Sequence, residues 1–227
     1  MCSHDNLTWT GGNYSEYLVM ICGLNKLVSY LPLNHIAGQM ADIYGAVIGG
    51  VCIYFAQPDA LKGSLAITIK EVKPTVFVTV PRLLEKMYDK INFQIDSSGF
   101  AKKSLLNWAR NQALNYHGAI IDGRDPTQFE FYNYKLAKSV VLDKVKRTIG
   151  LSDVRQFCCA SAPISNEIRN FFLSLDCPVV NAFGLSESQG AGTMGSISEG
   201  TYKDGSVGKP MPSIDIQIQE RMQVIGS

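Results

Sequence analysis

"VVNAFGLSESQGAG", Val179 to Gly192, is the stretch on which the reading of this chain turns. Two valines open a short apolar segment, Gly184 breaks it, and Leu185-Ser186-Glu187-Ser188 follows, with Gly190-Ala191-Gly192 close behind. The pattern predicts a buried strand that ends on a hydroxyl and a carboxylate. In open α/β sheets, ligands sit at the carboxyl ends of the strands. A serine hydroxyl and exposed N–H groups can hold phosphate oxygens there, and an adjacent carboxylate can hold Mg²⁺. Phe183, just before the turn, offers a flat face to a purine ring. The plainer alternative is a helix N-cap at Ser186 with Glu187 in the first turn.

Other chemistries fit less well. Gly184 to Ser188 misses the nucleophile elbow G-x-S-x-G at its last residue. None of the three histidines, His4, His35 and His117, follows Ser186, as the triad order of that hydrolase fold demands. "GAVIGG", Gly45 to Gly50, precedes a strand where a dinucleotide fingerprint follows one, and a Walker lysine loop is absent.

Outward from this stretch the elements alternate. "KLVSYLPL" holds a short strand stopped by Pro32, "VCIYFA" reads as a buried strand, and "TVFVTV" (Thr75 to Val80) is apolar on both faces, as in a sheet covered by helices on both sides. Ala60 to Lys73 carries Leu61, Leu65, Ile69 and Val72 at helical spacing. Pro81 suits the first turn of a helix whose apolar face is Leu84, Met87, Tyr88 and Ile91. Two long helices are predicted over 98–118 and 129–150, joined by "DGRDPTQ", with Leu105, Ala109, Leu136 and Val140 in their apolar stripes and Gly150 as end cap. Strand, helix and strand then follow in "VRQFCCA", Asn166 to Leu175 and "CPVVNAF". In "SIDIQIQ", Ile214, Ile216 and Ile218 alternate with polar residues, as in a half-exposed strand.

The composition, 46% hydrophobic and 18% charged, is that of a globular chain, and a net charge of +1 argues against a nucleic-acid partner. The longest weakly polar run, Ile43 to Ala56, is too short for a transmembrane segment. Six cysteines without C-x-x-C spacing read as reduced thiols in a cytoplasmic setting.

Three further segments, "SYLPLNHIAGQ", "FCCASAPIS" and "GSVGKPMP", stand in order around "NAFGLSES". Together they resemble the adenylate-forming superfamily, closest to its long-chain acyl-CoA synthetases of the bubblegum type. "SHDNLTW", "YFAQPDALKG", "KEVKPTVFVTVPRLLEKM" and "FFLSLDCPV" look like that branch. The resemblance runs from end to end. It implies an α/β fold, the central part of a large N-terminal adenylation domain, with mostly parallel sheet layers covered by helices and a long helical insertion. Residues 1–227 would then be an AMP-binding domain incomplete at both ends, because the family's phosphate loop precedes "SHDN" and its ribose-binding aspartate, hinge and small C-terminal domain follow the last motif.

The implied activity is ATP-dependent conversion of long-chain fatty acids to acyl-CoA through an acyl-adenylate, using ATP, Mg²⁺ and coenzyme A. By the family's motif, Asn181, Ala182, Phe183, Gly184, Leu185 and Ser186 would line the nucleotide site, with Phe183 on adenine, Ser186 toward phosphate and Glu187 on Mg²⁺. Ser161, Ala162 and Pro163 match the loop on the other face of adenine, and Ala160 stands where the family usually has glycine. His35 matches a histidine near the reacting carboxylate, with capping of the following helix as its alternative role. Gly208-Lys209-Pro210 matches a structural turn, with Lys209 solvated. The isolated chain is expected not to turn over alone. Its rivals are a short form that binds nucleotide or a full-length partner without catalysis, and an incomplete gene model. Peripheral membrane contact stays open for the full-length enzyme, with no anchor in this segment.

Overall fold

The computed structural model describes residues 3–18, 20–197, 199–212 and 214–217. A capping box formed by Ser3 and Asn6 starts α1 (His4–Tyr17). β1 (Lys26–Ser29) leads to a continuous helical run: α2 (Ile36–Gly38), a π-helical segment (Gln39–Gly45) and α3 (Ala46–Ile48). β2 (Cys52–Phe55), α4 (Leu65–Val72), β3 (Val76–Thr79) and α5 (Pro81–Asp96) follow. The insertion comprises α6 (Phe100–Ile121), α7 (Gln128–Ala137), a π-helical turn (Lys138–Leu142) and α8 (Asp143–Ile149). The chain then returns to the sheet with β4 (Gln156–Cys159), α9 (Asn166–Ser174), β5 (Val180–Leu185), β6 (Gly190–Met194) and β7 (Lys209–Pro210).

The strands form one seven-stranded sheet in the order β2-β1-β3-β4-β5-β6-β7. β2 through β5 pair in parallel, while β6 and β7 are added antiparallel. The sheet is therefore mixed, and its parallel part fits the expected architecture. Successive side chains on a strand point to opposite faces. Val28, Phe77, Phe157 and Cys159 thus pack on one side with Leu65, Ile69, Leu84 and Phe172 of α4, α5 and α9. Leu27, Val76 and Cys158 pack on the other with Tyr14, Ala41 and Met194. Both faces are covered, which is why Val76, Phe77 and Val78 are apolar in succession.

Several expectations need correction. β2 is an edge strand, not a buried one: among the described residues it pairs only with β1, and Phe55 is 73% exposed. The helix read over Ala60 to Lys73 is split by Gly63 into a 3₁₀ turn (Ala60–Lys62) and α4. Leu105, Leu136 and Val140 are exposed, because the insertion packs through Ala109, Ala113, Ala137, Val141 and Leu142. Gly150 does end α8, in the left-handed conformation that favours glycine. Gly208-Lys209-Pro210 is more than a turn, since Lys209 and Pro210 pair with β6, although Lys209 is solvent-exposed as expected. Ile214 and Ile216 lie outside any strand, and Ile218 lies outside the described residues.

A buried ionic knot fastens the insertion to the sheet. Asp176, between α9 and β5, accepts from Tyr134 Oη (2.8 Å), Lys138 Nζ (2.5 Å) and Lys146 Nζ (3.2 Å), and pairs with His117 Nε2 (3.0 Å). Burial alone would raise its pKa. The His117 hydrogen bond, the Lys146 charge and the Lys138 and Tyr134 hydrogen bonds outweigh that, and hold the carboxyl well below the usual range. Among the described residues, no helix is long and apolar enough to cross a membrane.

Candidate functional site

The opening stretch folds as a β-hairpin, not as a strand followed by a helix. β5 pairs antiparallel with β6 across a turn at 186–189, so Ser186 is not an N-cap. Ser188 Oγ accepts from the Leu185 N–H (3.2 Å) and contacts the Leu185 and Gly190 carbonyls, which it locks across the turn. The second hydroxyl of the motif is thus structural. The ladder shifts register between Phe183 and Gly184. A Cβ at Gly184 would collide with the Gly190 carbonyl, so only glycine allows the two strands this approach.

The hairpin forms one wall of a cavity of about 300 Å³ beside the carboxyl ends of β3, β4 and β5. His35, Ser161, Ala182, Gly184, Leu185, Ser186 and Glu187 line it, so seven of the expected residues converge on one space. Asn181, Ala162, Pro163 and Phe183 do not line it. Ala162 and Pro163 lie on the exposed loop after β4, and Phe183 alternates to the far side of β5 from Ala182 and is 49% exposed. Ala160 lines the cavity, and the positive φ of this loop falls on Ser161, at 79°. A serine in that region is sparsely populated backbone, held by its surroundings.

Asn181 sits behind the cavity wall. Its Nδ2 donates to the Ser206 carbonyl (3.1 Å), while its Oδ1 is buried with no hydrogen-bond partner among the described residues. The loop around Ser206 is pinned by Arg169, which donates to the Lys203 carbonyl (2.7 Å), pairs with Asp204 and lies over the Tyr202 ring. His35 caps α2, its Nδ1 accepting from the Ala37 N–H at 3.2 Å, and also borders the cavity. The two roles proposed for it are compatible.

Sequence reasoning missed the opposite wall. Tyr14 and Leu18 belong to the N-terminal segment, whose polar composition gave no apolar stripe. The Tyr14 hydroxyl accepts a hydrogen bond from the Ala191 N–H, and Tyr17 Oη donates to the Met194 carbonyl (3.4 Å). Burial raises the Tyr14 pKa, so it stays a neutral phenol. Ile36, Ala37, Ala41, Ala191 and Met194 complete an apolar half. Asp42, next to Ala41, is buried and accepts from Ser29 Oγ (2.7 Å). Burial pushes its pKa up to about 6 against the pull of that hydrogen bond. Burial likewise pushes the Cys158 thiol up to about 12, which removes a thiolate nucleophile from the cavity.

The cavity therefore offers an apolar slot, and hydroxyls with one carboxylate at one end. One carboxylate fits Mg²⁺, which commonly takes one or two from the protein and the rest from water and substrate phosphates. Among the described residues, no Lys or Arg lines the cavity.

The chain is similar to known proteins over most of its length. The chain is 41% identical over 209 residues to the human long-chain-fatty-acid–CoA ligase ACSBG2, covering 92% of this chain and 31% of that protein. It is 35% identical over 221 residues to human ACSBG1, covering 96% and 30%. The chain thus spans about a third of the length of these relatives. Its fold matches the N-terminal domain of FACL13 from Mycobacterium tuberculosis, with a TM-score of 0.57 at 16% identity over 93% of this chain and 40% of that one. It also matches o-succinylbenzoate coenzyme A synthetase from Bacillus subtilis, solved with ATP and magnesium ion, with a TM-score of 0.55 at 18% identity over 95% and 34%. The AMP-binding enzyme family matches residues 1–225, and the chain belongs to that family.

Proposed function

We propose that this chain supplies the central part of an adenylation domain, in a cytoplasmic protein that converts long-chain fatty acids to acyl-CoA. A carboxylate oxygen of the fatty acid attacks the α-phosphorus of ATP, the bond to pyrophosphate breaks, and acyl-adenylate forms. The thiol sulfur of coenzyme A then attacks the acyl carbon, loses its proton, and displaces AMP. The single observation that carries this reading is the convergence of the Ser161 loop, the Ser186–Glu187 turn and His35 on one cavity at the strand ends.

In this reading the adenosine lies against Ala182 and Gly184, near the Ser161 loop, while Phe183 faces outward from the other side of β5. Ser186 donates to a phosphate oxygen, and Glu187 orients the cation. Bound Mg²⁺ neutralises charge on the phosphate oxygens. His35 lies at the opposite lip, where the fatty carboxylate approaches.

The absence of a cavity-lining cation among the described residues favours a second reading for this chain taken alone: nucleotide binding without turnover. Calorimetric titration of the chain with AMP, and with ATP in the presence and absence of Mg²⁺, tests the assignment. AMP should bind with or without Mg²⁺, and Glu187→Gln should remove only the Mg²⁺ enhancement of ATP binding. Failure to bind either nucleotide, or an enhancement that survives Glu187→Gln, would refute it.

A further inference from the structure

On the opposite face of the sheet from the cavity, α4, α5, α6 and α8 enclose a furrow that shares no residue with it. Three hollows of about 480, 70 and 330 Å³ lie side by side. The first and second share Ile91 and Ile149, and the second and third share Met87 and Lys90. The floor is apolar: Leu65, Ile69, Ile91, Leu106 and Val145 belong to the core or pack against it. Leu105 and Val140, two of the exposed insertion residues, form part of its wall.

The rim carries Lys62, Lys70, Lys86, Lys90, Lys102 and Lys144, all solvent-exposed. Among the described residues no Asp or Glu lines the furrow, and none of these lysines joins an ion pair. In a chain with 21 cationic and 20 anionic side chains, this is a local segregation of charge. An apolar trough of this size, within the roughly 300–1,000 Å³ of ligand sites, under a rim whose charged residues are all lysine is complementary to an apolar body with an anionic head. The floor is recessed, so a planar bilayer cannot reach Leu65 or Ile91, whereas a flexible single chain can lie along it.

We propose that this furrow binds a single-chain anionic amphiphile, a free long-chain fatty acid as its carboxylate, with the alkyl chain on the floor and the head among the lysines. It is a holding site apart from the nucleotide cavity, and it stands on the furrow alone, independent of how that cavity is read.

The test is photocrosslinking of the full chain with a diazirine-bearing palmitic acid, followed by digestion and peptide mapping. Label should fall within 83–106 and 140–149, and palmitate should compete with it at least about tenfold better than hexadecanol, which lacks the charge. The triple variant Lys90→Glu, Lys102→Glu, Lys144→Glu should lose most of the label at an unchanged thermal midpoint, and the corresponding Lys→Arg variant should keep it. Label confined to the cavity around His35 and Ser161, or equal labelling of the charge-reversed variant, would overturn the proposal. Charge-dependent binding to phosphatidylserine vesicles with no labelling by the monomeric acid would also overturn it, and would assign the lysines to a bilayer surface.

Discussion

Asp42 gives the sharpest test of how burial shapes this molecule. It is 4% exposed, its carboxylate accepts from Ser29 Oγ, and burial lifts its pKa from 3.8 to about 6. A carboxyl raised on folding contributes stability that is complete below the unfolded value and is lost as pH rises through the folded one. The contribution should therefore fade between about pH 4 and 6 and be absent above that. A rise of about two pH units corresponds to about 3 kcal/mol at about 1.4 kcal/mol per unit, which partial solvation reduces to about 2 kcal/mol. Asp42→Asn keeps an acceptor for Ser29 and carries no charge. Urea unfolding of both proteins from about pH 4 to 8 should give similar stabilities at the acid end, with the variant more stable by about 2 kcal/mol at neutral pH. A variant destabilised equally at every pH would sink the reasoning, because Asp42 would then act through shape and not through charge.

Asp176 should behave in the opposite sense. Asp176→Asn leaves Lys138 and Lys146 without their buried partner and should cost about 3–5 kcal/mol in urea unfolding at neutral pH. In the unsubstituted chain the same contribution should disappear as pH falls below about 4, the direction set by its depressed pKa. Gly184→Ala drives a methyl into the Gly190 carbonyl and should cost at least about 1–3 kcal/mol, with loss of AMP binding on calorimetry. Tyr14→Phe leaves the buried Ala191 N–H unpaired and should lower stability by about 1–3 kcal/mol, seen also as faster hydrogen exchange at that amide.

The parallel core was legible because its constraint is one-dimensional. A strand covered on both faces is apolar on successive residues, and Val76-Phe77-Val78 and Phe157-Cys158-Cys159 are so. The edge position of β2 was not legible, since "VCIYFA" is equally apolar and only pairing decides which strand ends a sheet. The same limit divided the site. Residues within one motif were found, but Ala182 and Phe183 went in together, although strand alternation sends one to the cavity and the other outward. Taken alone, Ser186 read better as a helix cap, because a hairpin turn and a helix both begin with small polar residues and differ in long-range pairing. Tyr14, Asp42 and Asp176 escaped because each acts through a partner in another element, and nothing in its neighbouring sequence marks that partner.

The contact between Tyr14 and Ala191 joins groups 177 positions apart, as does that between Tyr17 and Met194. Closing so long a loop is entropically costly and contributes to folding only late. On the ribosome, the cavity cannot close until β6 has emerged, so the helix made first must wait for its partner strand. Until then Tyr14 presents an unsatisfied hydroxyl and Gly184 has no neighbour to approach. The cavity is thus assembled late in synthesis, and an interruption before residue 190 would leave the parallel part of the sheet largely drawn but the cavity open.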